Sequence, residues 1–162
     1  MSYAENTSVS VEKTRAEIEA TLSRYGATRF AYMTADTHAM IGFVAHGKGV
    51  RFILPLPSRD DPRFTVREFR RMGVLVKKCP RKPEDAYKAW EQACRSLWRS
   101  LFLCTKAKLE AVSAGITTFE AEFLAHFVLP TGQTVGERMI PQIEEMRRTN
   151  EMPKLLLEGH GL

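Results

Sequence analysis

Val11, Ile18, Leu22 and Tyr25 recur at the three-to-four-residue period of a single buried helix face. Ser8 or Ser10 can cap this helix, and Gly26 supplies the left-handed position that ends it. The period then shortens. TRFAYMT (28–34), HAMIGFVA (38–45) and VRFILPLP (50–57) alternate, joined by Ala-Asp-Thr and by Gly-Lys-Gly (47–49), connections of hairpin length. Pro55 and Pro57 cannot donate ladder hydrogen bonds, so they close the third strand or set it at an edge. A three-stranded antiparallel meander is expected. Residues 58–82, SRDDPRFTVREFRRMGVLVKKCPRK, are turn-rich and weakly periodic, and read as a long basic loop with one extra short strand at 73–78.

Helical spacing returns at Pro83, which fits a first helical position, with Glu84 and Asp85 at the positive end. Gly115 ends this long helix. Thr117-Thr-Phe-Glu120 spells a capping box for a short helix reaching about Val128, and Thr134-Val-Gly-Glu137 a second box heading 138–149. Pro141 kinks that last helix or marks its start. Residues 153–162 read as a loosely held tail. The expected fold class is α+β: a three-stranded antiparallel meander packed by an N-terminal helix and a long central helix, with a C-terminal helical segment. The element order is α-β-β-β-α-α-α. One domain spans 1–162, with helix and meander in 1–57, the basic loop in 58–82, a helical part in 83–152 and then the tail.

On a helical wheel Ala86, Trp90, Ala93, Leu97, Leu101 and Cys104 share one side of the long helix, the expected core face. Lys88, Arg95, Arg99 and Lys106 form a straight row about 27 Å long on the other side, flanked by Trp98, Phe102 and Leu109. A solvated face explains such a row, since long cationic stems also cover apolar surface. The sharper reading is a stripe that tracks a phosphate backbone, with Trp98 or Phe102 as a stacking surface for bases. Phe30, Tyr32, Phe43 and Phe52 on the meander read as core before they read as a base-binding sheet face.

Charge adds weight to the sharper reading without displacing the solvated face. The chain is 44% hydrophobic and 27% charged with a net charge of +5, the profile of a globular protein. Residues 51–82 hold ten basic and three acidic groups, a net of +7, whereas residues 113–162 are net −3. Arg67, Arg70, Arg71, Lys77 and Lys78 of the basic loop therefore join the helix row as candidate nucleic-acid contacts. No apolar run reaches the eighteen or so residues of a membrane span, and the first twenty residues lack the apolar core of a signal peptide. A cytoplasmic location is expected.

Other chemistries find little footing. Cys79, Cys94 and Cys104 are odd in number, and the latter two stand about 15 Å apart along one helix. His38, His46, His126 and His160 are scattered without metal-ligand spacing, and Asp60-Asp61 reads as a solvated turn. Neither a metal nor another cofactor is expected. The Gly-Lys-Gly stretch lacks the spacing of a phosphate loop, and no nucleophile–base pair can be assembled, so an enzyme is not expected.

AENTSVSVEKTRAEIE (4–19), RYGA (24–27), RFILPLP (51–57), KAKLEAVSAGITTFEAEF (106–123) and LPTGQTVGE (129–137) together resemble a family of uncharacterised tailed-phage and prophage proteins. Residues 64–82 depart most from that pattern. The resemblance implies a setting of phage replication or recombination in the host cytoplasm, and carries no functional residues. The order of a meander followed by a long basic helix is also similar to single-strand annealing proteins. The function expected is nucleic-acid binding without strong sequence preference, with single-stranded DNA as partner and room for homo-oligomers. The alternative is a small inhibitor or adaptor that docks on an acidic host protein.

Overall fold

Ser10 accepts a hydrogen bond from the Lys13 amide (3.2 Å) and so starts the first helix, α1 (Val11–Arg24). At its far end Gly26, at φ 89°, lets the Gly26 and Ala27 amides turn back to the carbonyls of Ser23 and Leu22. These contacts come from a computed structural model that describes residues 4–150. The expected tail at 153–162 lies outside the described residues.

The meander forms as β1 (Arg29–Thr34), β2 (His38–Ala45) and β3 (Lys48–Pro55), antiparallel in the order β1-β2-β3. Cross-strand rows Phe30–Phe43–Val50, Tyr32–Ile41–Phe52 and Thr34–Ala39–Leu54 share the inner face. On β2 and β3 this face is buried; on β1 it thins out, and Tyr32 is 53% exposed. The β2–β3 turn is His46-Gly47, with φ 51° and 73°, and not Gly-Lys-Gly. Two residues of positive φ give a connection whose twist matches the strands, which draws Lys48 and Gly49 into β3.

Residues 58–82 are not a loop. Asp61 accepts from the Arg63 amide (2.9 Å) and caps the one-turn helix α2 (Pro62–Thr65). A second hairpin follows, β4 (Val66–Arg71) with β5 (Val74–Pro80), turning at Met72-Gly73 with φ 49° and 82°. It forms a two-stranded sheet separate from the meander. Its foot is held by the buried Phe64 and by the Arg81 amide bonding the Thr65 carbonyl (2.7 Å).

Next comes α3 (Pro83–Ser113), 31 residues with Pro83 in its first turn. Gly115, at φ 70°, closes it as Gly26 closes α1. Thr118, not Thr117, caps α4 (Phe119–Phe123), which passes into a tight turn at Leu124–His126 before the expected end at Val128. It stops there because the chain becomes extended: the Val128 amide donates to the Gly49 carbonyl (2.8 Å) along the outer edge of β3. The Thr134–Glu137 capping box forms as expected and heads α5 (Val135–Thr149), with Pro141 inside it. Among the described residues no helix is long and apolar enough to cross a membrane.

Helix α3 lies against α1 and the inner face of the meander, but not on the expected side. Cys94, Trp98, Phe102, Thr105 and Leu109 are its buried residues. Leu97 and Leu101 are only partly buried, Trp90 is half-buried and Cys104 is exposed. Both rows have helical spacing; the one carrying the larger rings wins, because the space between α1 and the sheet must be filled at close-packed density. Trp98 (2% exposed) joins Ile18, Leu22, Ile41, Phe43 and Phe52 in one core cluster. Replacing Trp98 with Ala should cost about 3–5 kcal/mol, and Cys104→Ala should stay within about 0.5 kcal/mol of wild type. Urea denaturation measures both, and equal costs would refute this rotation of the helix.

His126 sits against the Phe52 ring (4.2 Å between centroids), and burial, with Lys108 nearby, holds its pKa below the ordinary 6.5. Between the lowered folded value and 6.5 the unfolded chain binds a proton that the fold refuses. This contribution therefore lowers stability as the pH falls below 6.5. His126→Gln should flatten the loss of stability measured between about pH 7 and pH 5.5, above the range where carboxylates titrate.

Candidate nucleic-acid interface

The rotation of α3 redefines its basic row. Choosing the Trp98 side instead of the Leu97 side turns the helix by about 100°. Arg95 and Arg99 then flank the buried face instead of opposing it. Arg99 pairs with Glu17 of α1 and lies 4.6 Å over the Phe102 ring. Arg95 bonds Glu91 (3.0 Å) and the Gln92 side-chain oxygen (2.6 Å). The Gln92 amide in turn donates to the carbonyls of Glu5 and Thr7, and Ser96 donates to Glu5. These two arginines help dock α1 and the segment before it onto α3. Trp98 and Phe102 are core residues, 2% and 8% exposed, so neither can stack a base. Lys88 and Lys106 do face solvent, near opposite ends of the helix.

Other cations are also engaged. Lys48 pairs with Glu120 (2.8 Å), Arg51 with Glu137 (2.6 Å) and Lys108 with Glu122 (2.8 Å). The Lys48 hydrogen bond holds the Glu120 carboxyl below its usual range. For Glu137 the Thr134 backbone amide is the larger cause and Arg51 the smaller. The acidic C-terminal third is thus docked on the basic sheet and helix, and much of the positive charge of residues 48–108 is neutralised within the fold.

The β4–β5 hairpin is different. Its register pairs Arg67 with Cys79 and Phe69 with Lys77; then a bulge leaves Val76 without an opposite residue, and Arg71 pairs with Val74. Arg67, Phe69, Arg71, Val74, Lys77 and Cys79 consequently share one face. Arg67 lies 5.0 Å over the Phe69 ring. No carboxylate sits on this face, and neither Arg71 nor Lys77 has an ion-pair partner among the described residues. Lys78 lies on the opposite face, paired with Glu68 (3.0 Å). The Arg70 side chain lies outside the described residues. Apart from Cys79, the side chains described on this cationic face are exposed: Phe69 is 43% and Val74 67% accessible.

The structure therefore splits the eleven candidate residues. Arg67, Arg71 and Lys77 come together on the hairpin, whereas Trp98, Phe102, Arg95 and Arg99 belong to the core and its supports. Arg15 and Arg59, which the sequence reading did not single out, each lie over two aromatic rings. Their partners are far away in sequence, so no local spacing announces them.

Arg99→Ala should lower stability by about 1 kcal/mol, because Glu17 loses its partner in a partly buried site. Thermal unfolding measures this, and an unchanged midpoint would remove the docking role. Comparison with known protein families, with curated proteins and with solved structures finds no match to this chain.

Proposed function

We propose that the protein binds nucleic acid without strong sequence preference, through the cationic face of the β4–β5 arm. The observation that carries this reading is Arg67, Arg71 and Lys77 on one exposed face that holds no acid. Six residues of strand reach about 20 Å, and a two-stranded ribbon of this width enters a major groove or lies along a single strand. Phe69 and Val74 add apolar contact for sugars and bases. The arm carries no Asn or Gln to read adenine edges, and its cations suit phosphate oxygens on any sequence. In a setting of recombination or replication, such an arm would hold single-stranded DNA or the duplex beside it.

A second reading has its own observation. Met72 is 97% and Val76 64% exposed, more apolar surface than phosphates require. An acidic partner protein would use both kinds of surface.

Affinity for an oligonucleotide should fall with salt with a log–log slope of about −0.7 per phosphate on a single strand, or −0.9 on duplex. Combining Arg71→Ala with Lys77→Ala should remove about one to two contacts from that slope without lowering the unfolding midpoint. Fluorescence anisotropy with oligo-dT and with duplex of equal length reads the slopes and the preferred form. No binding to either at low salt would reject this function and leave the acidic-protein reading.

A further inference from the structure

Beside the foot of the arm, α1, the β1–β2 connection, residues 58–60 and the first turns of α3 enclose a cleft of about 810 Å3. That volume suits a nucleotide-sized ligand. Its charged groups are Arg15, Arg59, Glu12, Asp36, Asp60 and Glu91. Glu91 is committed to Arg95. The carboxyl of Glu12 is held low by its own backbone amide and by Ser10, with the nearby Arg15 a smaller cause. Arg15 and Arg59 thus share the cleft with Glu12, Asp36 and Asp60, none of the five in an ion pair among the described residues.

Both arginines keep unused donors. The Arg15 guanidinium stands 4.0 Å over Tyr32 and 4.9 Å from Trp98, and donates to Thr34 Oγ1 at 2.6 Å. Its Nε is buried without an acceptor and out of a ligand's reach, which leaves the terminal nitrogens to serve the cleft. Arg59 lies 4.3 Å over Trp90 and 5.6 Å from Tyr87. Neither has an ion-pair partner among the described residues. The Trp90 indole is oriented by its hydrogen bond to the Pro57 carbonyl (2.8 Å), and its ring centroid is 5.6 Å from that of Tyr87, which is 50% exposed. Burial holds the Cys94 thiol above its usual range, so it serves as an apolar wall and not as a nucleophile.

We infer that this cleft holds a single unstacked nucleotide, its phosphate on Arg15 and Arg59 and its base on the exposed Tyr87 ring beside Trp90. Guanidinium forks match phosphate oxygens, and an aromatic surface accepts the face of any base. Asp36 and Asp60 supply acceptors for exocyclic amines. A bare phosphate would leave the exposed Tyr87 ring unused, and an uncharged aromatic would leave the free guanidinium donors unmatched. As a site on a strand, the cleft rests on the proposed function of the arm: residues 58–60 just before the arm, and Tyr87 in the first turns of α3 just after it, line the cleft. A free nucleotide carries the same chemistry.

Tryptophan fluorescence of the whole chain at low salt tests this with deoxyadenosine, deoxyadenosine 5′-monophosphate and oligo-dA. The monophosphate should give saturable quenching, and deoxyadenosine should bind at least about tenfold more weakly. Arg59→Ala and Tyr87→Ala, both at exposed positions, should each weaken binding about tenfold with an unchanged unfolding midpoint. Saturation by the monophosphate assigns the site to free nucleotides as well. Weakening seen only with oligo-dA assigns it to the strand. If both variants bind every ligand like wild type, the cleft assignment is wrong. Should oligo-dA binding need Arg71 and Lys77 but neither Arg59 nor Tyr87, the arm stands and the cleft falls. Saturable monophosphate binding, lost in Arg59→Ala, beside oligo-dA binding indifferent to the arm variant, would keep the cleft and reject the arm.

Discussion

Burial of Trp98 is the constraint on which the rest of the molecule depends. The side chain is 2% exposed at the junction of α1, α3 and the meander. Because it lies on a helix of 31 residues, its position sets the rotation of every other side chain along α3. Arg99 is brought beside Glu17, Arg95 beside the N-terminal segment, and Lys108 beside Glu122. One packing choice thereby turns a row of cations from a free surface into the contacts that hold α1 and α4 in place.

The two ends of that rotation face different tasks. Toward its C-terminal end α3 supports α4, where Phe119 and Phe123 pack against each other (4.7 Å between centroids) and Phe123 meets Phe43 edge-on. Toward its N-terminal end the packing opens into the cleft, and the chain departs into the arm. A two-stranded hairpin alone is marginally stable in water. Here the anchoring lies at the foot, through Phe64 and the Arg81–Thr65 hydrogen bond, while Met72 at the tip is 97% exposed. An element with so little apolar contact along its length has a low local stability and adapts readily to whatever it touches.

Much of this architecture was legible before any coordinates. The 11-18-22 spacing gave α1, Gly26 gave its end and Ser8 or Ser10 its start, of which the fold uses Ser10, and alternation gave β1 to β3 with nearly correct limits. These signals are local, and local rules decide them. The rotation of α3 was not legible, because Trp90-Leu97-Leu101-Cys104 and Cys94-Trp98-Phe102-Thr105-Leu109 both repeat at helical spacing. Only the shape of the space against α1 and the sheet selects between them. The arm was half legible: its second strand was partly anticipated at 73–78, but the bulge at Val76 breaks the alternation, and Met-Gly is a weak turn signal beside Asn-Gly. Of the candidate interface, the basic content of residues 67–78 was readable, whereas the loss of Trp98, Phe102, Arg95 and Arg99 followed from tertiary contacts.

Charge placement explains why the arm remains open. A chain with a net −3 C-terminal third and a net +7 middle could have folded one onto the other. Among the described ion pairs only Arg51–Glu137 joins them; Glu120 and Glu122 are taken by Lys48 and Lys108, and Glu145 by Arg148. Each of these pairs forms between elements already brought together by packing or between neighbours on one helix, so little further chain entropy is lost in making it. Reaching the arm would cost those same acids a partner and order a projecting hairpin as well. With these acids satisfied inside the fold, the face of Arg67, Arg71 and Lys77 keeps its positive charge without an ion pair among the described residues.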